Sequence, residues 1–182
     1  MDGETCLRQA YEAIYQGDFE AAIDWFGQAI ALEPDNASHY YSGSITCARS
    51  GKLALAMTYA LKAVELNPDE PSYRLNLKTI QAKHRIAEAR QLLAAPNPDV
   101  DRSVQLLRDA ARHDPLSAEA RLLLGILYRM RGEHALALES LRDALLLDPG
   151  LEEAKRQLRE ARAERRRLLK QQYSHSQSKR NR

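Results

Sequence analysis

Four prolines constrain this chain more than any other feature. Pro34, Pro68, Pro115 and Pro149 are separated by 34, 47 and 34 residues, in the related phrases LEPDN, LNPDE, RHDPL and LDPGL. Proline ends a helix because it lacks the N–H and its ring clashes with the preceding turn. Counting back 17 positions from each reaches Gly17, Gly51, Pro98 and Gly132, all turn-formers. Counting back 12 reaches Ala22, Ala56, Ser103 and Ala137, and counting back 5 reaches Ala29, Ala63, Ala110 and Ala144. Eight before each proline stand Phe26, Ala60, Leu107 and Leu141. The chain is a repeat, and a period in this range means a stacked array.

Each period reads as a helix, a tight turn at glycine, a second helix, and a break at proline. Glycine supplies the backbone angles that a helix C-cap needs. Segments such as LALAMTYALKAVEL and HALALESLRDALLL space their apolar residues as helices do. The alanine columns mark lines where two helices approach closely. Aromatics are only 6% of the chain, so composition also favours helix over strand.

The 34-residue period and the Gly, Ala, aromatic-or-Leu, Ala and Pro columns resemble the tetratricopeptide repeat. Residues 118–151 match best, with Leu124-Gly125, Tyr128, Gly132, Ala137, Leu141, Ala144 and Pro149. Residues 3–36 keep Gly17, Ala22, Phe26, Ala29 and Pro34, with Gln9-Ala10 where Leu-Gly is usual. Residues 37–70 have Gly43-Ser44 there. The resemblance implies an all-α, right-handed α-solenoid of helix-turn-helix repeats, closed by a C-terminal capping helix.

The third unit departs from the pattern. Residues 71–117 carry 13 extra positions and a Pro96-Asn97-Pro98-Asp99 turn in place of glycine. Nothing between Ser72 and Ala95 breaks a helix, so one long helix of about 36 Å is predicted there. The second helix is expected over about Asp99 to His113. Residues 152–172 form an amphipathic segment whose Ala154, Leu158, Ala161 and Leu168 continue one stripe from Leu151, as a terminal cap requires. Residues 173–182 lack an apolar pattern and are expected to be a disordered basic tail.

Charge is distributed unevenly. Residues 152–182 hold 11 Lys/Arg against 4 Asp/Glu, leaving 16 against 21 in the rest. An acidic body with a basic end keeps nucleic-acid or ribosome association through the C-terminal helix open as a second reading. Membrane spanning is not expected, since the longest apolar run, Leu122 to Tyr128, is far too short. The start, MDGETCLRQ, shows no signal peptide, and a cytoplasmic location is expected.

Enzymatic chemistry is not expected. The five histidines, at 39, 84, 113, 134 and 175, occupy no shared position in the repeats, and HExxH, GxSxG and phosphate-loop motifs are absent. No metal or cofactor is predicted. Cys6 and Cys47 read as small packed thiols in first helices.

What the resemblance implies instead is a concave groove, lined by first helices, for a protein partner. Its candidate residues are Leu7, Tyr11 and Tyr15 in the first unit, Tyr41, Ile45 and Arg49 in the second, and Leu122, Ile126 and Arg129 in the fourth. Repeats that clamp the acidic tails of heat-shock chaperones use Lys and Asn here. Leu7, Tyr11 and Ser42 occupy the matching places, so that role is rejected. Apolar and tyrosine side chains favour an apolar extended segment or a partner helix. Homodimerisation is also possible. The expectation of an all-helical chain is checked by circular dichroism: substantial strand signal would overturn the repeat register.

Overall fold

The computed structural model describes residues 2–180, with side chains as far as 172. Among these residues every regular element is a helix: α1 (Gly3–Gln16), α2 (Phe19–Leu32), α3 (Ala37–Arg49), α4 (Leu53–Leu66), α5 (Pro71–Ala94), α6 (Val100–His113), α7 (Ala118–Met130), α8 (His134–Leu147) and α9 (Glu152–Arg180). The chain divides into two compact units, Met1–His84 and Arg85–Arg182, with the division inside α5.

The turns follow from the backbone freedom of glycine. Gly17, Gly51 and Gly132 have φ of 80°, 82° and 73°, the left-handed region that residues with a Cβ avoid. Each lets the next residue's N–H reach back five positions: Asp18 to Ala13 O at 2.9 Å, Lys52 to Cys47 O at 2.9 Å, and Glu133 to Tyr128 O at 2.8 Å. These bonds satisfy carbonyls that the helix end would otherwise leave without a donor. The α5–α6 turn does without glycine. Pro96 and Pro98 disfavour helical angles at the residues before them, so α5 stops at Ala94. Asp99 then starts α6 by accepting from Arg102 N at 2.9 Å.

In the first unit the core comprises small residues around a few large ones. Cys6, Ala10, Ala22, Phe26 and Ala29 are fully buried. Ile23, Cys47, Ala56, Ala60 and Ile80 form a cluster that Leu55, Tyr59 and Leu77 complete. A Cβ added at Gly43 would lie 3.1 Å from the Tyr59 ring and 3.4 Å from Phe26 Cβ. The glycine lets α3 pass close to its neighbours.

In the second unit, Leu122, Leu138, Leu141 and Ala144 pack with Ala154, Leu158 and Ala161 of α9. Ser103, the only non-alanine in its column, is fully buried. Its hydroxyl donates to Asp99 O at 2.7 Å, so the polar group is satisfied inside the helix contact. Helix α9 runs to Arg180, past the expected end of the cap at 172 and through most of the segment expected as a tail. The last two positions, 181 and 182, lie outside the described residues.

Two substitutions separate close approach from helix propensity. A Cβ at Gly125 would meet Leu141 Cγ at 2.5 Å and its backbone N at 3.3 Å. Gly125→Ala is expected to destabilise by about 1–3 kcal/mol, less whatever propensity returns. Gly27, in mid-helix, has only the Tyr59 hydroxyl at 4.0 Å. Gly27→Ala is expected to stabilise by about 0.5–1 kcal/mol. Urea unfolding of both variants checks the opposite signs. Ala137→Leu, at a fully buried contact, should cost about 1–3 kcal/mol by the same measurement.

Candidate functional site

The first unit places its candidate groove residues on α1 and α3. Tyr11 is 53% exposed; its hydroxyl lies 3.1 Å from Ser42 Oγ, and its ring meets Phe26 edge-on with centroids 5.8 Å apart. Tyr15, one turn further along α1, is 93% exposed. Leu7 and Ile45 are half-buried. The Tyr41 ring packs on Tyr73 of α5, centroids 4.8 Å apart and tilted by 34°. Arg49 turns toward α2, its guanidinium 4.8 Å above the Phe19 ring. That contact uses the positive charge against the negative face of an aromatic.

Two residues of this surface were not singled out from the sequence. Tyr73 stacks on Tyr41, and Asn76 Nδ2 donates to Ser44 Oγ at 2.7 Å. Ser44 Oγ in turn donates to Tyr41 O at 2.7 Å. Both residues lie on α5, where the 13 extra positions of the third unit left no register from which to assign them.

The second unit differs from expectation. Leu122 is buried in the α7–α8–α9 cluster, and Ile126 packs against it. Arg129 donates to Gln157 Oε1 and, at 2.5 Å, to Glu160 Oε2, with Glu164 Oε1 3.5 Å from its Nε. Leu122 and Arg129 do not stand open here, because α9 packs against them, while Ile126 is half-buried beside the same cluster. The physical reason is the apolar stripe of α9, whose Ala154, Leu158 and Ala161 gain most by burial against α7 and α8.

Among the described residues, no group of three or more His, Cys, Asp or Glu could hold a metal ion. Among the described residues no helix is long and apolar enough to cross a membrane. Cys6 and Cys47 are both buried as free thiols. Burial pushes the Cys47 thiol up from 9.0 to about 11, a shift that the Lys52 charge partly offsets. The thiol is therefore protonated and unreactive at neutral pH.

The sign of that shift sets a pH dependence. The folded state keeps a proton that the unfolded chain releases above 9.0, so this contribution is complete below that value and is lost as pH rises through about 11. Thermal melts from pH 8 to pH 11 (about the range spanned by the two values) should fall more steeply for the wild type than for Cys47→Ala. Cys47 should also resist alkylation until the chain is unfolded, as mass spectrometry of trapped thiols would report.

Comparison with known proteins agrees with this architecture. The tetratricopeptide repeat model matches residues 7–71 and 86–152. Tetratricopeptide repeat protein 28 of Mus musculus is 31% identical over 102 residues, which are 56% of this chain. The protein of the same name from Homo sapiens has the same identity over the same length. The chain spans only 4% of the length of either relative. Among solved structures, that of MamA protein is 19% identical with a TM-score of 0.52, covering 92% of this chain and 86% of that one. The MamA 41-end structure from Desulfovibrio magneticus RS-1 is 16% identical with a TM-score of 0.52, covering 94% and 96%. Likeness at these identities is a likeness of fold. With the family model matching well over half of its residues, this chain belongs to the tetratricopeptide repeat family.

Proposed function

We propose that the chain is a protein-interaction module whose recognition surface is the α1–α3 face of the first unit. The tetratricopeptide fold itself suggests an interaction scaffold, and the choice of face is our own reading. The observation that carries it is the pair Tyr11 and Tyr15, one helical turn apart on α1 and 53% and 93% exposed. Tyrosines left open beside half-buried Leu7 and Ile45 offer a large apolar area with polar tips. Such a surface suits an apolar extended segment or the apolar face of a partner helix. Tyr41 and Arg49, held by Tyr73 and Phe19, would form its firmer edge. Leu122 and Arg129 fall outside this reading because α9 engages them, and half-buried Ile126 because it packs on the same cluster.

Binding energy in such surfaces concentrates in a few aromatic anchors, each worth about 2 kcal/mol or more. Affinity capture from the source cells with Tyr15→Ala/Tyr41→Ala, against the wild type, tests the reading. The expected result is a loss of captured partner with an unchanged helical spectrum. Retention of all partners by the double variant, with their loss on truncation after Pro149, would move the activity to the basic C-terminal helix. Nucleic-acid or ribosome association would then be the reading to pursue.

A further inference from the structure

A cleft of about 490 Å³ opens between α8 and α9 of the second unit. Five arginines line it: Arg142 from α8, and Arg159, Arg162, Arg165 and Arg166 from α9. Leu138 and Leu169 supply its apolar walls. None of the five arginines forms a hydrogen bond or ion pair among the described residues. The acids of α9 that could answer them are engaged elsewhere. Glu160 and Glu164 face Arg129, Glu153 takes bonds from Gln157 and Arg156, and Glu152 pairs with Lys155. Five like charges meet at one cleft with no ion pair among the described residues; the charge of Glu152 reaches Arg159 only at a distance, and the arginines repel one another until an anion enters.

The same chain carries a matching surplus of acid. Residues 1–36 hold eight Asp/Glu and a single basic residue, Arg8, a net charge of −7. Residues 152–182 carry +7. Part of the acid is used locally: Asp2 and Asp18 cap helices, Glu20 pairs with Lys52, and Glu33 bonds to Asn36. Glu4, Glu12, Asp24 and Asp35 are exposed and make no hydrogen bond or ion pair among the described residues. Three of these four project from α1 and α2.

We infer that the arginine cleft binds the acidic first repeat of a second copy of this chain. Guanidinium groups match carboxylates in bidentate geometry and hold their charge at any working pH. Complementary patches of this kind set partner choice and orientation more than raw affinity. The contact joins two different patches and is therefore heterologous. It rests on surface charge, so it weakens as the screening length falls from about 10 Å at 0.1 M salt to about 3 Å at 1 M.

Sedimentation of the full chain at rising protein concentration tests the inference. The wild type is expected to associate at low ionic strength and to become monomeric at high salt. Two variants, each confirmed as folded by circular dichroism, remove one side of the contact: Arg159→Gln/Arg162→Gln/Arg166→Gln, and Glu4→Gln/Glu12→Gln/Asp24→Asn. Each alone should be monomeric under conditions where the wild type associates. Mixed in equal amounts they should form a one-to-one complex, because one intact cleft and one intact acidic first repeat remain. A monomeric wild type at every concentration, a variant that associates like the wild type, or a mixture that stays monomeric would each overturn it. A monomeric wild type that binds a single-stranded oligonucleotide, and loses it with the arginine variant, would overturn it in favour of a nucleic-acid ligand.

Discussion

The close approach of paired helices through side chains no larger than a methyl group is what the rest of this structure depends on. Ala22, Ala56 and Ala137 are fully buried where they pack, as are Ala29, Ala63, Ala110 and Ala144 nearer the ends of the second helices. Larger residues at these positions would push the helices apart, and the intervening Phe26, Leu107 and Leu141 would no longer fill the space they now close. The glycine turns serve the same end. They are tight enough that the second helix begins beside the first, so the small residues meet in register. Apolar burial supplies the driving force, but small residues decide where it can act.

That dependence explains how much of the fold was legible. A close contact tolerates few residue types, so it leaves a fixed column in the sequence. Alanine, glycine and proline at constant offsets were enough to place the helix pairs ending near residues 32, 66, 113 and 147. The long α5 was also legible, since no breaker lies between Ser72 and Ala95, and Pro96 then restricts the residue before it. The end of α9 was not. The segment YSHSQSKR has no apolar period, and its polar composition read as a tail, whereas helix continues to Arg180.

The candidate surface was legible only in part, for a different physical reason. Position within a repeat suggests which way a first-helix residue faces; Tyr11 and Tyr15 are exposed, and Tyr41 packs on Tyr73. Position does not tell whether another element lies over that face. Leu122, Ile126 and Arg129 occupy equivalent places, yet Leu122 is buried and Ile126 packs in the cluster that α9 joins, and Arg129 is turned to Gln157, Glu160 and Glu164. The apolar stripe of α9 was visible in the sequence; its docking partner was not, because apolar stripes carry little information about which stripe they will meet. Tyr73 and Asn76 escaped for the converse reason, lying on a helix without the landmarks that set the register.

The way α9 seats itself bears on how such a chain can change length. Its Ala154, Leu158 and Ala161 occupy the same kind of position against α7 and α8 that a further first helix would take. The link before it is short, with Gly150 N donating to Asp148 Oδ1 at 2.9 Å and Leu151 N to Asp148 O at 3.2 Å. A duplicated unit inserted at this link would present α7-like and α8-like faces at its two ends, and α9 would find the same surface to close. The number of repeats is thus free to drift by whole units at one joint, while every existing contact is inherited unchanged.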